Sequence, residues 1–151
     1  MYVAYYMERP NNEREAYERA VKLMIYYNSL CNIEASRLSM LSWAKRNGFS
    51  QHFMNRPRAT YPDLNKKISS TVGTPATQAV IAHQTDLIAD FIDDYCDTIW
   101  FPEFLDQLLR YNDDNKGKFD IVAAMGMCEL ADEELSGVVP RIVEEDSSNE
   151  W

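Results

Sequence analysis

From Asn11 onward, apolar residues recur three or four positions apart in separate blocks, and turn-forming residues divide the blocks. Ala16, Tyr17, Ala20, Val21, Leu23, Met24 and Tyr27 fall on one face of a helix that residues 11–15 open and Asn28-Ser29 ends. Asn12 and Glu15 have capping-box spacing, with Asn in place of Ser or Thr. A second helix is predicted over residues 36–47 from Leu38, Leu41 and Trp43, with Asn47-Gly48 as its stop. Gly73-Thr74-Pro75-Ala76-Thr77 reads as a helix start capped by Thr74. The long helix after it carries Val80, Ile81, Ile88, Phe91, Ile92, Tyr95 and Ile99 on one stripe and runs to about Trp100. Beyond the break at Phe101-Pro102-Glu103, a shorter helix uses Phe104, Leu105, Leu108 and Leu109.

The last helical block begins at Asp120 and runs to about Leu135, on Ile121, Val122, Ala124, Met125, Cys128, Leu130 and Ala131. Ala123, Ala124 and Gly126 are small, so this helix can lie very close to whatever it covers. Asp120 follows the polar run 112–117 and stands at the mouth of the helix, where Asp is a preferred cap.

Two stretches read as strands. Residues 2–7 are aromatic-rich, and Pro10 closes them. Residues 30–34 are short and mostly apolar and end on Glu34. Strand, helix, strand in that order suggests a parallel pair with a crossover helix. Functional groups in such sheets lie at the carboxyl ends of strands, which is where Glu34 stands. Residues 49–62 are irregular, and 64–72 form a short strand or an extended crossing.

Length and charge narrow the picture. A chain of 151 residues suits one domain with a real core. We place that domain at 1–137 and an acidic, weakly patterned, mobile tail at 138–151. No apolar run reaches the roughly 20 residues of a membrane span, and no leader pattern is visible at the start. Cys31, Cys96 and Cys128 are odd in number and far apart, which favours reduced, buried thiols in a cytoplasmic setting. The net charge of −9 is unevenly spread. Residues 1–70 hold eleven Lys/Arg and six Asp/Glu; residues 71–151 hold four and eighteen. Nucleic-acid contacts, if made, belong to the first half, with Arg37, Lys45, Arg46, Lys66 and Lys67 as phosphate-contact candidates by charge alone. The acidic run Asp86, Asp90, Asp93, Asp94 and Asp97 reads as a solvated helix face.

Candidate chemistry is sparse. There is no Gly-rich phosphate loop, His52 and His83 are isolated, and no Ser/His/Asp signature appears. Glu34 at a strand end and Asp120 at a helix start remain. Their oxygens suit Mg²⁺ or Mn²⁺, and a pair of such ions activates water and stabilises a leaving phosphate oxygen.

Three stretches resemble the carboxy-terminal nuclease domain of the large terminase subunit of tailed phages. Val3-Ala4-Tyr5-Tyr6-Met7-Glu8-Arg9-Pro10 is similar to a strand ending in an Arg-Pro turn. Residues 20–34 are similar to the helix and strand that deliver a metal-binding carboxylate. Lys118-Phe119-Asp120-Ile121-Val122-Ala123-Ala124-Met125-Gly126-Met127 is similar to the closing Asp and its small-residue helix. Thr74 and Leu105-Leu108-Leu109 fall where that family has a Thr-led helix and a short apolar one. The likeness spans about residues 3–135.

The resemblance implies an α/β, ribonuclease-H-like fold: a helix-rich chain with a partial central sheet and flanking helices. It implies metal-dependent endonuclease cleavage of concatemeric double-stranded DNA with two Mg²⁺ or Mn²⁺ ions, and Glu34 and Asp120 as catalytic metal ligands. It implies the portal and the small terminase subunit as partners, no membrane, and the cytoplasm of an infected bacterial host. Two departures stand out. Phe119-Asp120 replaces a frequent pair of adjacent acids. The family's first strands and first catalytic Asp precede the part that matches, so the chain corresponds to the latter portion of the domain. Activity would then need the remainder of the large subunit or a companion chain. The rival expectation is a non-catalytic phage assembly or protein-interaction module, its acidic second half meeting a basic partner.

Overall fold

The computed structural model describes residues 1–61, 71–112 and 118–137. Five helices account for most of them: α1 (Glu13–Tyr26), α2 (Leu38–Arg46), α3 (Gln78–Tyr95), α4 (Pro102–Arg110) and α5 (Asp120–Leu135). Short 3-10 turns lie at Ser50–His52, Arg58–Thr60 and Cys96–Thr98.

The expected α/β, ribonuclease-H-like architecture with a partial central sheet is not present. Among the described residues there is no β-ladder, only isolated parallel bridges between Cys31 and Phe53 and between Glu34 and Thr74. Residues 31–35 are extended enough to bond neighbours. The Cys31 N–H donates to the His52 carbonyl at 2.7 Å, and the Ala35 N–H to the Thr74 carbonyl at 2.9 Å. Each neighbour stays alongside for only one residue, because turns at Ser50–His52 and around Gly73 carry the chain away. Among the described residues, residues 2–7 pair with nothing through their backbone, and the expected parallel pair with residues 30–34 through a crossover helix does not form. A strand needs consecutive pairing partners as well as a suitable composition.

The helices follow the apolar blocks, with shifted ends. Asn12 caps α1 by accepting the Arg14 N–H at 3.0 Å. α2 occupies the interior of the predicted 36–47 segment, and Gly48 takes the positive φ of +80° that follows its end. Thr77, not Thr74, caps α3, its hydroxyl accepting the Val80 N–H at 3.3 Å. The helix also stops at Tyr95, short of Trp100. Asp86, Asp90, Asp93, Asp94 and Asp97 are all exposed. Asp120 is the first residue of α5 rather than its cap; Phe119 holds the cap position and makes no side-chain capping bond. Gln107 of α4 compensates, its side-chain oxygen accepting the Ile121 N–H at 3.0 Å.

Two apolar clusters result. Val21, Met24, Ile33, Leu41, Ala44 and Phe53 join α1, α2 and the 31–34 segment. Ile88, Phe91, Ile99, Phe104, Ile121, Val122 and Met125 join α3, α4 and α5, with Tyr2 packed against them. α3 and α5 approach closely at Gly126, where an added Cβ would lie 2.9 Å from the Gln84 Cβ. The small residue at 126 therefore serves close packing, whereas Ala123 and Ala124 are exposed. The cysteines are free, but only Cys31 is partly buried, its thiol pushed up to about 12 by desolvation; Cys96 and Cys128 are exposed. Among the described residues no helix is long and apolar enough to cross a membrane.

Candidate functional site

The two clusters meet along a polar seam, and the seam sets the position of Glu34. Thr74 is fully buried there. Its N–H donates to the Ile33 carbonyl at 2.8 Å, and its hydroxyl donates to Asn32 Oδ1 at 2.6 Å. Asn32 Nδ2 in turn donates to the Met127 carbonyl on α5 at 3.0 Å. These bonds tie the 31–35 segment to α5 through one amide side chain and one hydroxyl. Gly73 makes the approach possible. Its φ is +110°, and a Cβ there would stand 3.1 Å from the Ala35 Cα.

The chain then turns sharply, with the Arg37 N–H donating to the Glu34 carbonyl at 2.9 Å. The Ser36 hydroxyl donates to Glu34 Oε1 and holds the carboxylate against the turn. Across the seam, α5 begins with Asp120, and the Gln107–Ile121 bond fixes where that first turn lies.

Glu34 and Asp120 line the same cleft, of about 320 Å³. Arg37, Thr74, Gln84 and Tyr111 contribute further polar groups to its wall, and Ile81, Ile88 and Val122 form its apolar side. Glu34 is partly buried and Asp120 exposed. Thr85 and Tyr111 bring their hydroxyls to 3.4 Å of each other on the same wall. The donor chemistry is hard oxygen, which suits Mg²⁺ or Mn²⁺. Two carboxylates are also within the number with which proteins hold Mg²⁺ when substrate phosphates complete its shell. Among the described residues, no group of three His, Cys, Asp or Glu side chains comes together.

The basic candidates separate. Arg37 lines the cleft beside Glu34. Lys45 and Arg46 are exposed in the last turn of α2, where cations also complement the helix dipole. Lys66 and Lys67 lie outside the described residues. Two arginines of the same basic stretch are engaged structurally. Arg56 stacks over Tyr61 at 4.2 Å and bonds Thr60, and Arg58 pairs with Glu134 at 2.9 Å. His83 pairs with Glu133 at 2.9 Å, away from the cleft wall.

Sequence reasoning missed the walls of the cleft. Thr74 was readable only as a helix cap, and its role in the seam depends on Asn32, 42 positions earlier. Gln84, Thr85 and Tyr111 carry no local signal at all; their helices bring them to the cleft. Compared with protein-family models, curated proteins and solved structures, the chain matches none.

Proposed function

We propose that Glu34 and Asp120 hold a divalent cation, Mg²⁺ or Mn²⁺, in the cleft, and that the cation serves hydrolysis of a phosphodiester in double-stranded DNA. The observation that carries this reading is that Glu34 and Asp120, distant in sequence, both line one cleft that also contains Arg37. A carboxylate-held cation activates water and stabilises the leaving oxygen. Arg37 adds a planar donor that matches phosphate oxygens. The Ser36 hydroxyl holds the Glu34 carboxylate in one orientation, the task that outer hydrogen bonds perform at metal sites. The terminase resemblance, whose implied sheet is absent among the described residues, points to the same chemistry, with phage DNA packaging in an infected bacterial cytoplasm and portal and small-subunit partners as the proposed setting. Two ligands among the described residues are a sparse set for a two-metal centre. In this reading further carboxylate comes from the remainder of a large subunit or from a companion chain, and cleavage by this chain alone is weak or nil.

Calorimetric titration with Mn²⁺ tests the reading. The expected result is a saturable site that is lost in Glu34→Ala and in Asp120→Asn, with far-UV circular dichroism unchanged. Binding that persists in both variants would remove the assignment. The second reading, a non-catalytic interaction module, is favoured by the absence of any three-ligand cluster among the described residues. A folded chain that binds no Mn²⁺, with or without DNA, would select it.

A further inference from the structure

Between residues 2–7 and the first turns of α5 lies a pocket of about 160 Å³. Among the described residues it shares only Asp120 with the cleft that holds Glu34. Four aromatic residues line it: Tyr2, Tyr5, Tyr6 and Phe104. Their rings brace one another. Phe104 meets Tyr2 at 5.2 Å and Tyr5 at 5.6 Å, and Tyr2 rests on Phe91 of the core at 5.1 Å. Buried Ile121 and Met125 of α5 complete the apolar wall. Among the described residues, Asp120 is the only charged residue in the lining.

Further carboxylates stand behind the rings. The Tyr2 hydroxyl donates to Glu129, and Glu103 beside the Tyr5 hydroxyl raises its pKa. A phenol hydrogen-bonded to a carboxylate is polarised toward a more electron-rich ring. The negative face of an aromatic ring attracts cations. Arg19 lies over the Tyr6 ring at 5.7 Å, but it is outside the lining and its charge is matched by Glu8.

We propose that this pocket binds a small quaternary ammonium ion of choline's size, its methylated head among the rings and its charge balanced by Asp120. A cavity of about 150 Å³ takes benzene, so the volume suits a ligand of about five to seven heavy atoms. The lining selects the chemistry. An anion would meet Asp120 and no basic residue of the lining. A metal ion or a primary ammonium gives up strongly bound water that rings replace poorly. Methyl groups already separate a quaternary charge from water, and aromatic faces are the surfaces that recognise it. A neutral apolar molecule would fit the rings and leave Asp120 unused. The walls belong to residues 2–7, α4 and α5, so the pocket does not depend on the cation cleft beyond Asp120.

Isothermal titration of the full chain with choline chloride tests the site, with EDTA present to keep divalent ions out of the cleft. The expected result is a single saturable site. The uncharged alcohol in which carbon replaces choline's nitrogen should bind at least about tenfold more weakly. Tyr5→Leu keeps an apolar wall but removes a ring, and should weaken choline by roughly 3- to 30-fold. Ala124→Leu adds bulk at a lining position and should abolish binding. Both positions are exposed, so circular dichroism should match that of the parent chain. Asp120→Asn should weaken choline by about two- to fivefold, as for a solvent-exposed ion pair. A chain that shows no saturable choline binding overturns the proposal. So does equal binding of the alcohol, which would mark a merely apolar cavity, or binding that Tyr5→Leu and Ala124→Leu both leave unchanged.

Discussion

Buried polar bonds set the most specific expectations for single residues. Changing Thr74 to Val keeps the shape but leaves Asn32 Oδ1 without its donor inside the seam. A loss of about 1–3 kcal/mol in urea unfolding is expected, the cost of an unsatisfied buried polar group. Gly73→Ala should cost a similar amount, roughly 1–3 kcal/mol, since the new methyl meets the Ala35 backbone and the positive φ disfavours any side chain. Glu129 makes a pH prediction. Burial raises its carboxyl above the usual range, outweighing the Tyr2 hydroxyl, which lowers it, while Asp132 raises it further. The folded chain therefore keeps this proton to higher pH than the unfolded chain does. Stability from this group is greatest below about pH 4.3 and falls as pH rises through the raised value. Glu129→Gln keeps an acceptor for Tyr2 and removes that slope. Denaturant midpoints measured from pH 4 to 7 in both proteins should converge at the acidic end and separate, with the variant higher, toward neutrality.

Among the elements, α5 supplies the most buried residues of any described helix. Ile121, Val122, Met125 and Leu130 read as core and are buried, and Gly126 sits where α3 comes closest. Gly126→Ala pits a gain in helix propensity of roughly 1 kcal/mol against a methyl aimed at the Gln84 Cβ. That carbon is next to the backbone and cannot swing away, so α3 and α5 must part. A net loss of about 1–3 kcal/mol is expected in thermal or urea unfolding. The helices were legible because their signal repeats every turn. Their ends were less so: Thr74-Pro75 and Thr77 are both acceptable starts, and only the seam, which consumes Thr74, decides between them. The sheet was misread for a related reason. Residues 2–7 and 30–34 have strand composition, but pairing depends on segments far away in sequence, and those stay alongside for single residues only. Ala124 and Cys128 fit the apolar period of α5 yet are exposed, because residues 2–7 lie over that flank across an open pocket rather than packed onto it.

For the molecule as a whole, the cleft is a product of the seam between two apolar clusters rather than of a sheet edge. Glu34 and Asp120 stood out in the sequence as carboxylates at element ends, but the surface they share, and Tyr111 and Gln84 in its wall, depend on how α3 and α5 pack against the 31–35 segment. Electrostatics belongs to this scale too. A chain of net charge −9 repels DNA at long range, so the proposed function requires the proposed cation and Arg37 beside it to supply the attraction. Amide NMR spectra recorded during a Mn²⁺ titration test that cation site most directly. Paramagnetic broadening should begin together around Glu34 and Asp120, reach Arg37 and Thr74 next, and vanish in Asp120→Asn. Broadening that follows the exposed acidic face of α3 instead, or that survives in the variant, would contradict a shared cation site.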